Sequence, residues 1–294
     1  MTETDVLAQA FQSQRARLRS VAYRMLGSLA EADDAVQETW LKASRSGAEG
    51  VDNLGAWLTT VVSRVCLDQL RARRARREES LEIHVPDPVI AELDVVDPEA
   101  EALMADTVGL ALLVVLEQLT PAERVAFVLH DFFDLPFGEI AAILGRSPVA
   151  TRQLASRARR RVSAGARVGE TDVGRQRAVV DAFLAASRGG SFEELAAVLA
   201  PDVVLRVDLG PGHPTRAVVG REAVARQALM FSHHAPHTRA ALVNGALGII
   251  TTPDGRLFSV MGITVVAGRV AEMTILADPE RIARLELRSA GGSA

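Results

Sequence analysis

Several residue types are scarce in this chain, and each scarcity excludes a class of protein or site. Cys66 is the only cysteine among 294 residues, so an internal disulfide and a zinc site built on thiolates are excluded. No apolar run is long enough to span a bilayer, and the acidic N-terminus lacks the basic and apolar regions of a signal peptide. Lys42 is the sole lysine, so arginine supplies the positive charge. We therefore expect a cytoplasmic protein that does not contact membranes.

The charges that are present alternate in blocks along the chain. The net charge is −4, but residues 71–77 form an arginine cluster and residues 146–167 contain arginines and no acidic residue. Between them, residues 78–106 contain many carboxylates and neither lysine nor arginine. Such blocks indicate two basic segments suited to nucleic acid and an acidic segment between them.

Apolar residues recur at helical spacing over residues 7–78. Gly27 should end one helix, the pattern Ser28-Leu29-Ala30-Glu31 predicts a capping box for the next, and a long helix begins near Leu54. Residues 79–105 are acidic and contain three prolines, which is typical of a linker.

Residues 106–167 are predicted to be helical again. Thr120-Pro121-Ala122-Glu123 combines a capping box with proline at the first helical position. Two further helices meet at Gly145 and predict a helix-turn-helix. The second would bury one stripe and expose another, which could contact base edges and phosphates or be a solvated basic face. The predicted inner stripe is Thr151, Leu154, Ala155, Ala158 and Val162; the outer face is Arg152, Gln153, Ser156, Arg157 and Arg160.

The last zone, residues 172–288, has the pattern of an α+β domain. Two helices are predicted at about 172–188 and 191–200, and strand-like segments follow, which we expect to form an antiparallel sheet. The residues Pro253-Asp254-Gly255-Arg256 predict a turn. The predicted strands are residues 203–208, 215–219, 237–244, 246–252, 257–266 and 269–276.

Several segments of the N-terminal half resemble the extracytoplasmic-function RNA polymerase sigma factors. Residues 23–29 (YRMLGSL) and 32–41 (ADDAVQETWL) resemble their region 2. Residues 56–71 resemble the part of region 2 that binds the promoter −10 element, and residues 124–162 resemble region 4, whose helix-turn-helix reads the −35 element. The resemblance implies region 2 at 1–78, a linker at 79–105 and region 4 at 106–167.

This resemblance implies partners and sites. The partners would be promoter DNA and core RNA polymerase, through its beta-prime clamp helices and beta flap. It implies no cofactor, no metal and no catalytic residue. The acidic helix would bind the core through Asp33, Asp34, Gln37 and Glu38. The −10 element would be held by Asn53, Trp57, Arg64, Arg71 and Arg74, although Trp57 could instead be a core residue. The −35 element would be read by Arg152, Gln153, Ser156, Arg157 and Arg160.

The C-terminal zone resembles the SnoaL-like domain that one subgroup of these sigma factors carries, on residues 218–225 (VVGREAVA) and 243–248 (VNGALG). The resemblance implies a cone of curved sheet closed by helices, with an apolar pocket that could take a small apolar ligand. It also implies a regulatory loop containing Asp208, Gly210 and Gly212. We expect this domain to regulate the sigma factor in cis, so that no separate anti-sigma protein is required.

Two alternatives belong to other classes. The C-terminal zone could be a cyclase-like or isomerase-like enzyme or a small-molecule-binding domain coupled to a DNA-binding half. Its candidate acid/base groups would be Asp208, His213, His233, His234 and His237, and Asp208→Ala would abolish its turnover. The chain could also be a conventional ligand-responsive regulator with one helix-turn-helix. The resemblance to region 2 disfavours the second alternative, since a repressor has no use for a clamp-binding helix.

Overall fold

The structure is a computed structural model that divides into two compact units. One unit comprises Met1–Leu81 and Val115–Ala164, and the other comprises Glu82–Val114 and Gly165–Ala294. No helix in the described part of the chain is long and apolar enough to cross a membrane. The described residues are 3–48, 50–77, 85–93, 109–165, 169–170, 172–213, 216–285 and 287–288.

The first unit is helical. Its core confirms the predicted periodicity, because Leu18, Val21 and Met25 of the first helix are fully buried, and Gly27 follows that helix with a φ of 76°. The helices of the chain up to residue 165, of which α4 straddles the boundary between the units, are α1 (Glu3–Leu26), α2 (Leu29–Ser46), α3 (Leu54–Arg77), α4 (Leu110–Glu117), α5 (Pro121–Asp131), α6 (Phe137–Leu144) and α7 (Pro148–Gly165).

Of the two predicted capping boxes, one is confirmed and one is wrong. At the start of α5, the Thr120 hydroxyl accepts a hydrogen bond from the Glu123 amide (3.3 Å), and the Glu123 carboxylate accepts one from the Thr120 amide (3.1 Å). Ser28 precedes α2 but makes no side-chain cap bond. The Glu31 carboxylate instead accepts a hydrogen bond from Arg73, a charged donor that binds more strongly than a neutral amide.

The second unit is an α+β domain, which confirms the predicted fold class. Its strands form one sheet in the order β3-β2-β7-β6-β5-β4-β1-β8. The helices are α8 (Val173–Gly189), α9 (Phe192–Val198), α10 (Arg221–Met230) and α11 (Pro279–Ile282). The strands are β1 (Ile90–Ala91), β2 (Leu199–Asp208), β3 (Arg216–Val219), β4 (Thr238–Val243), β5 (Ala246–Thr251), β6 (Ser259–Val266), β7 (Arg269–Leu276) and β8 (Leu287–Arg288).

The domain differs from the prediction in two respects, the pairing of its strands and the number of its helical segments. It is mixed rather than antiparallel, because β2 pairs with β7, and β1 with β8, in parallel. Parallel neighbours need no hairpin turn, so no local sequence signal marks them. The helix α10 and the 3₁₀ segment Ser232–His237 were also not predicted, whereas the turn at Pro253–Gly255 does join antiparallel β5 and β6.

The two faces of this sheet are covered by different parts of the chain. Helices α8, α9 and α10 cover one face with apolar side chains that include Phe183 and Leu195. The opposite face packs against residues of the predicted linker and of α4, which include Val85 and Leu110. The linker therefore contributes a strand and core residues to the C-terminal domain; linker positions 79–84 and 94–105 lie outside the described residues.

Candidate polymerase, DNA and linker interfaces

The four residues predicted to bind the polymerase core lie together on the outer side of α2. Asp33, Asp34 and Gln37 are exposed and Glu38 is half-buried. Both carboxylate oxygens of Asp33 accept hydrogen bonds from Arg19 of α1, at 2.6 and 2.9 Å. Surface pairs of this kind contribute only about 0–1 kcal/mol, so they orient the carboxylate without preventing its contact with another protein.

Four of the five residues predicted to hold the −10 element lie along α3, and the fifth, Asn53, immediately precedes it. Trp57, Arg64 and Arg71 recur every seven residues and so lie on one stripe; Arg64, Arg71 and Arg74 are exposed, and Trp57 is half-buried. The Asn53 side-chain oxygen accepts a hydrogen bond from the Ala56 amide at 3.0 Å. Asn53 is thus a cap of α3, and sequence reasoning had not distinguished this role from DNA contact.

Another arginine of the 71–77 cluster has a structural role within the first unit. Arg73 donates a hydrogen bond to the Leu26 carbonyl at 3.0 Å and one to Glu31, and lies 3.6 Å from Glu117. The Glu117 carboxylate also accepts a hydrogen bond from Arg124 at 2.7 Å, and the Arg124 side chain is only 2% exposed. These ion pairs connect α3 to α4 and α5 in the interior of the unit.

A second contact joins α1 to the residues after α5. The Arg24 guanidinium lies 4.8 Å from the ring centre of Phe132 and 4.9 Å from that of Phe133. The Arg24 carbonyl also accepts a long hydrogen bond from Arg124. Within the first unit, α1 and α3 are therefore packed against the segment Val115–Ala164 by aromatic and ionic contacts between residues that are far apart in the sequence.

The five residues predicted to read the −35 element are all exposed on α7. The predicted inner stripe is buried at Thr151, Leu154, Ala155 and Ala158, while Val162 is half-buried. Other arginines of this helix stabilise the domain: Arg159 pairs with Asp131 (2.6 Å) and Arg161 with Glu123 (2.7 Å). The arginines of α7 thus divide into intramolecular ones and an outward set.

One member of the outward set has a defined position. The Arg152 guanidinium lies 5.3 Å from the ring centre of Phe137 in α6, and that ring lies 4.0 Å from the ring of His130. A cation over an aromatic face gains about 0.5–1 kcal/mol at an exposed site. Phe137 therefore restricts the guanidinium that is predicted to reach a base.

In the C-terminal domain, the buried carboxylate of Asp208 binds the linker. Asp208 Oδ2 accepts hydrogen bonds from the Val85 amide (2.9 Å) and from Arg281 Nη1 (3.1 Å), and Oδ1 accepts one from the Gly210 amide (3.0 Å). A carboxylate with three donors is well compensated for its burial. Asp208 is thus an anchor of the linker.

Arg281 completes this contact, and sequence reasoning did not find it. Its Nε donates a hydrogen bond to Asp87 at 2.7 Å, and its Nη2 donates to the Val85 carbonyl and to Asp87. The Asp278 side chain caps the first turn of α11, which carries Arg281. The sequence around Asp278 is compatible with a helix cap. No residue near Arg281 in the sequence, however, indicates that its guanidinium binds Asp87 and Asp208. We call the contact of Asp208 and Arg281 with Val85 and Asp87 the linker clasp.

The linker is held beyond the clasp by backbone pairing. The Asn244 side-chain oxygen accepts a hydrogen bond from the Val89 amide (2.7 Å), and the Asn244 amide donates one to the Val89 carbonyl (2.8 Å). Ile90 and Ala91 then pair with β4. The first turn of α4 packs on the same face, where a β-carbon at Gly262 would lie 3.0 Å from Leu110.

The glycines of the predicted regulatory loop have different surroundings. Gly210 has a φ of 90°, and a β-carbon there would lie 2.6 Å from the Asp278 carboxyl carbon, so only glycine fits. Gly212 also has a positive φ, 79°, but it is exposed and open space surrounds it. Of these three residues, Asp208 therefore contacts the linker, Gly210 lies beside Asp208 and Asp278, and Gly212 is exposed.

The histidines of this domain do not form a metal site in the described residues, which contain no suitable group of three or more ligands. The rings of His233 and His234 lie 4.0 Å apart, and His234 lies 4.7 Å from Phe258. Partial burial lowers the pKa of His234, and the neighbouring His233 and His237 lower it further.

Comparisons with known proteins find similar sequences and a similar solved structure. A model of sigma-70 region 2 matches residues 10–76, and a model of sigma-70 region 4 matches residues 109–162. The chain is 41% identical over 287 residues to the ECF RNA polymerase sigma factor SigJ of Mycobacterium tuberculosis (strain ATCC 25618 / H37Rv), which covers 92% of this chain and 91% of that protein. It is 33% identical over 293 residues to the probable ECF RNA polymerase sigma factor SigI of M. tuberculosis (strain CDC 1551 / Oshkosh), covering 99% and 100%. The crystal structure of M. tuberculosis SigJ matches with a TM-score of 0.77 at 38% identity, covering 96% of this chain and 100% of that one.

Proposed function

The chain belongs to the extracytoplasmic-function RNA polymerase sigma factors, and from that premise we propose that its C-terminal domain restrains it in cis by binding the linker between regions 2 and 4. As a sigma factor, the protein binds core RNA polymerase and directs promoter-specific initiation of transcription. The observation that carries the proposal is the linker clasp, in which Asp208 and Arg281 bind Val85 and Asp87.

The reach of the linker explains why such binding would matter. Positions −10 and −35 are roughly 25 base pairs apart, which is about 85 Å along B-form DNA. The 32 residues between α3 and α4 span at most roughly 110 Å when fully extended. Binding of residues 85–93 and of the first turn of α4 to one sheet face removes much of that length. A released linker would let regions 2 and 4 separate far enough to engage both elements.

The packing of regions 2 and 4 within the first unit supports the same proposal. Glu117 receives both Arg73 and Arg124, and Arg24 contacts the rings after α5. The −10 and −35 elements are about 85 Å apart. Regions 2 and 4 therefore cannot bind both elements while they are in direct contact with each other. We take this closed arrangement as the resting form, which must open when the polymerase core binds.

The finer partner assignments are part of the proposal. The acidic outer side of α2 would bind the beta-prime clamp helices, the arginine stripe of α3 would hold −10 DNA, the outward face of α7 would read −35, and region 4 would contact the beta flap. Since the restraint is covalently attached, no separate anti-sigma protein is required. The protein would work in the bacterial cytoplasm, and a small apolar ligand between the sheet and its helices could supply the signal.

The enzyme alternative counted Asp208 among its candidate acid/base groups and predicted that Asp208→Ala would abolish turnover. Asp208 instead receives two backbone amides and a guanidinium, and lies in the contact with the linker. The sheet face toward α8, α9 and α10 is lined by aliphatic and aromatic side chains. These observations favour a regulatory role for the domain.

Run-off transcription with purified core polymerase tests the proposal. The full chain would be compared with a chain ending near residue 167 and with Arg281→Met, on promoters enriched by binding of the reconstituted holoenzyme. We expect promoter-specific transcripts from all three and more transcript from the two altered chains. Arg226→Met, which removes an arginine from a highly exposed pair with Glu222, is the matched control and should behave as the full chain. Equal or lower activity after truncation would contradict the proposed restraint.

A further inference from the structure

Val149 is an exposed apolar side chain on α7. In the described part of residues 109–165 it is the one large apolar side chain that is exposed, with 63% of its surface accessible. It lies in the first turn of α7, three residues before Arg152 and four before Gln153. Side chains at these spacings are neighbours on a helix, so Val149 belongs to the outward face of α7.

Valine at this position does little for the stability of the helix. A β-branched side chain loses rotamer freedom in a helix and is a weaker helix former than alanine, and an exposed one gains little burial. The same stiffness makes its two methyl groups a rigid contact surface with little entropy left to lose on binding. The turn that carries them is capped by the Ser147 hydroxyl, which accepts a hydrogen bond from the Ala150 amide at 3.2 Å.

The chemistry of the major groove identifies what such a surface would contact. The N-terminal residues of a recognition helix contact base edges. Arginine suits the acceptors of guanine, glutamine suits adenine, and an apolar side chain suits the C5-methyl group of thymine. The ring of Phe137, which packs against His130, restricts the position of the Arg152 guanidinium. Because Arg152 lies one turn from Val149, the base that Arg152 contacts and the base that Val149 contacts must lie within a few base pairs of each other.

We propose that Val149 contacts the C5-methyl group of a thymine in the −35 element, within the few base pairs that Arg152 and Gln153 read. The inference rests on the proposed assignment of the α7 face to −35 DNA and adds a specificity-determining residue to it. Val149 would then select a T·A over a C·G pair at one position.

Removal of one thymine methyl group at a time from the DNA tests this contact. Each thymine of the −35 element, on either strand, is replaced in turn by deoxyuridine, which removes the methyl group and keeps base pairing. Binding is measured with holoenzyme reconstituted from core polymerase and the full chain. We expect one replacement to weaken binding about fourfold, the factor that corresponds to one buried methyl group. Val149→Ala should weaken binding to unmodified DNA by about the same factor and abolish the effect of that one replacement.

A matched control and a third variant separate the possible failures. Val219→Ala removes an equally exposed valine, 63% accessible, from the edge strand β3, and should leave the deoxyuridine effect intact. The inference is overturned if no replacement matters, or if Val149→Ala retains the same sensitivity at the same thymine. Arg152→Ala distinguishes failure of the Val149 contact from failure of the assignment of α7 to −35 DNA. If it relaxes base preference in the −35 element while deoxyuridine has no effect, only the Val149 contact is wrong; if it changes no preference, the assignment of α7 fails and the inference with it.

Discussion

Replacing Arg281 by methionine would remove one guanidinium from three acceptors of the linker clasp. The side chain of Asp208 is 2% exposed and that of Arg281 is 22% exposed. Removing one partner of a fully buried ion pair costs about 3–5 kcal/mol, whereas a surface pair contributes about 0–1 kcal/mol. Arg281 is partly exposed, and Asp208 keeps the amides of Val85 and Gly210. By interpolation between these cases, we expect Arg281→Met to weaken the binding of residues 85–93 by about 2–3 kcal/mol.

Hydrogen exchange of the backbone amides in residues 85–93 measures this loss directly. Protection there reports the free energy of local opening, and about 2–3 kcal/mol corresponds to exchange that is roughly 30–150 times faster. Asp87→Asn should have a smaller effect, since the Asp87 side chain is 24% exposed and the buried Asp208 keeps its donors. Arg226→Met serves again as the exposed control and should leave the protection unchanged.

The reasoning would be refuted by unchanged protection of residues 85–93 in Arg281→Met. In that case the backbone pairing of Ile90–Ala91 with β4 and the hydrogen bonds of Asn244 would hold the linker without the clasp. Loss of protection throughout the C-terminal domain would also contradict the prediction, because it would mean that Arg281 supports the domain rather than the linker.

Three further predictions concern other buried or titratable groups. Glu117→Gln should destabilise the first unit by about 3 kcal/mol in urea unfolding, because it leaves Arg124 buried without its carboxylate; a loss below about 1 kcal/mol would show that the pair is not essential. Cys66 is completely buried, and burial raises the pKa of its thiol, so alkylation near pH 8 should require unfolding; rapid labelling of the native chain would contradict this. The pKa of His234 is lowered from 6.5 in the folded state, so the unfolded state binds more protons and the stability that this group contributes is lost as the pH falls below about 6.5. The midpoint of urea unfolding of the C-terminal domain should therefore fall less between about pH 7 and pH 5 in His234→Gln than in the unaltered chain, and an identical decline would refute this assignment.

Local sequence patterns determined the helices of regions 2 and 4 and much of their outward faces. Helical spacing alone identified the buried stripe of α7, including Leu154 and Ala158, because residues three and four apart share a side of a helix. The capping box at Thr120 was also readable, since both of its hydrogen bonds lie within four residues. The α+β class of the C-terminal domain followed from the same kind of short-range signal.

Partnerships between distant residues were decided only by the tertiary structure. Arg281 and Asp87 are 194 residues apart, and Arg73 and Glu31 are 42 apart, while the chain offers 33 basic and 37 acidic residues as candidates. The capping box predicted at Ser28 does not form, because the Glu31 carboxylate binds the distant Arg73 instead. Residues 79–105 were predicted to be an acidic linker that contains three prolines, yet Ile90–Ala91 form a strand of the C-terminal sheet. The physical reason is range. Helical periodicity and capping depend on residues within about one helical turn, whereas a long-range ion pair or a parallel strand pair depends on which distant segments the tertiary fold brings together.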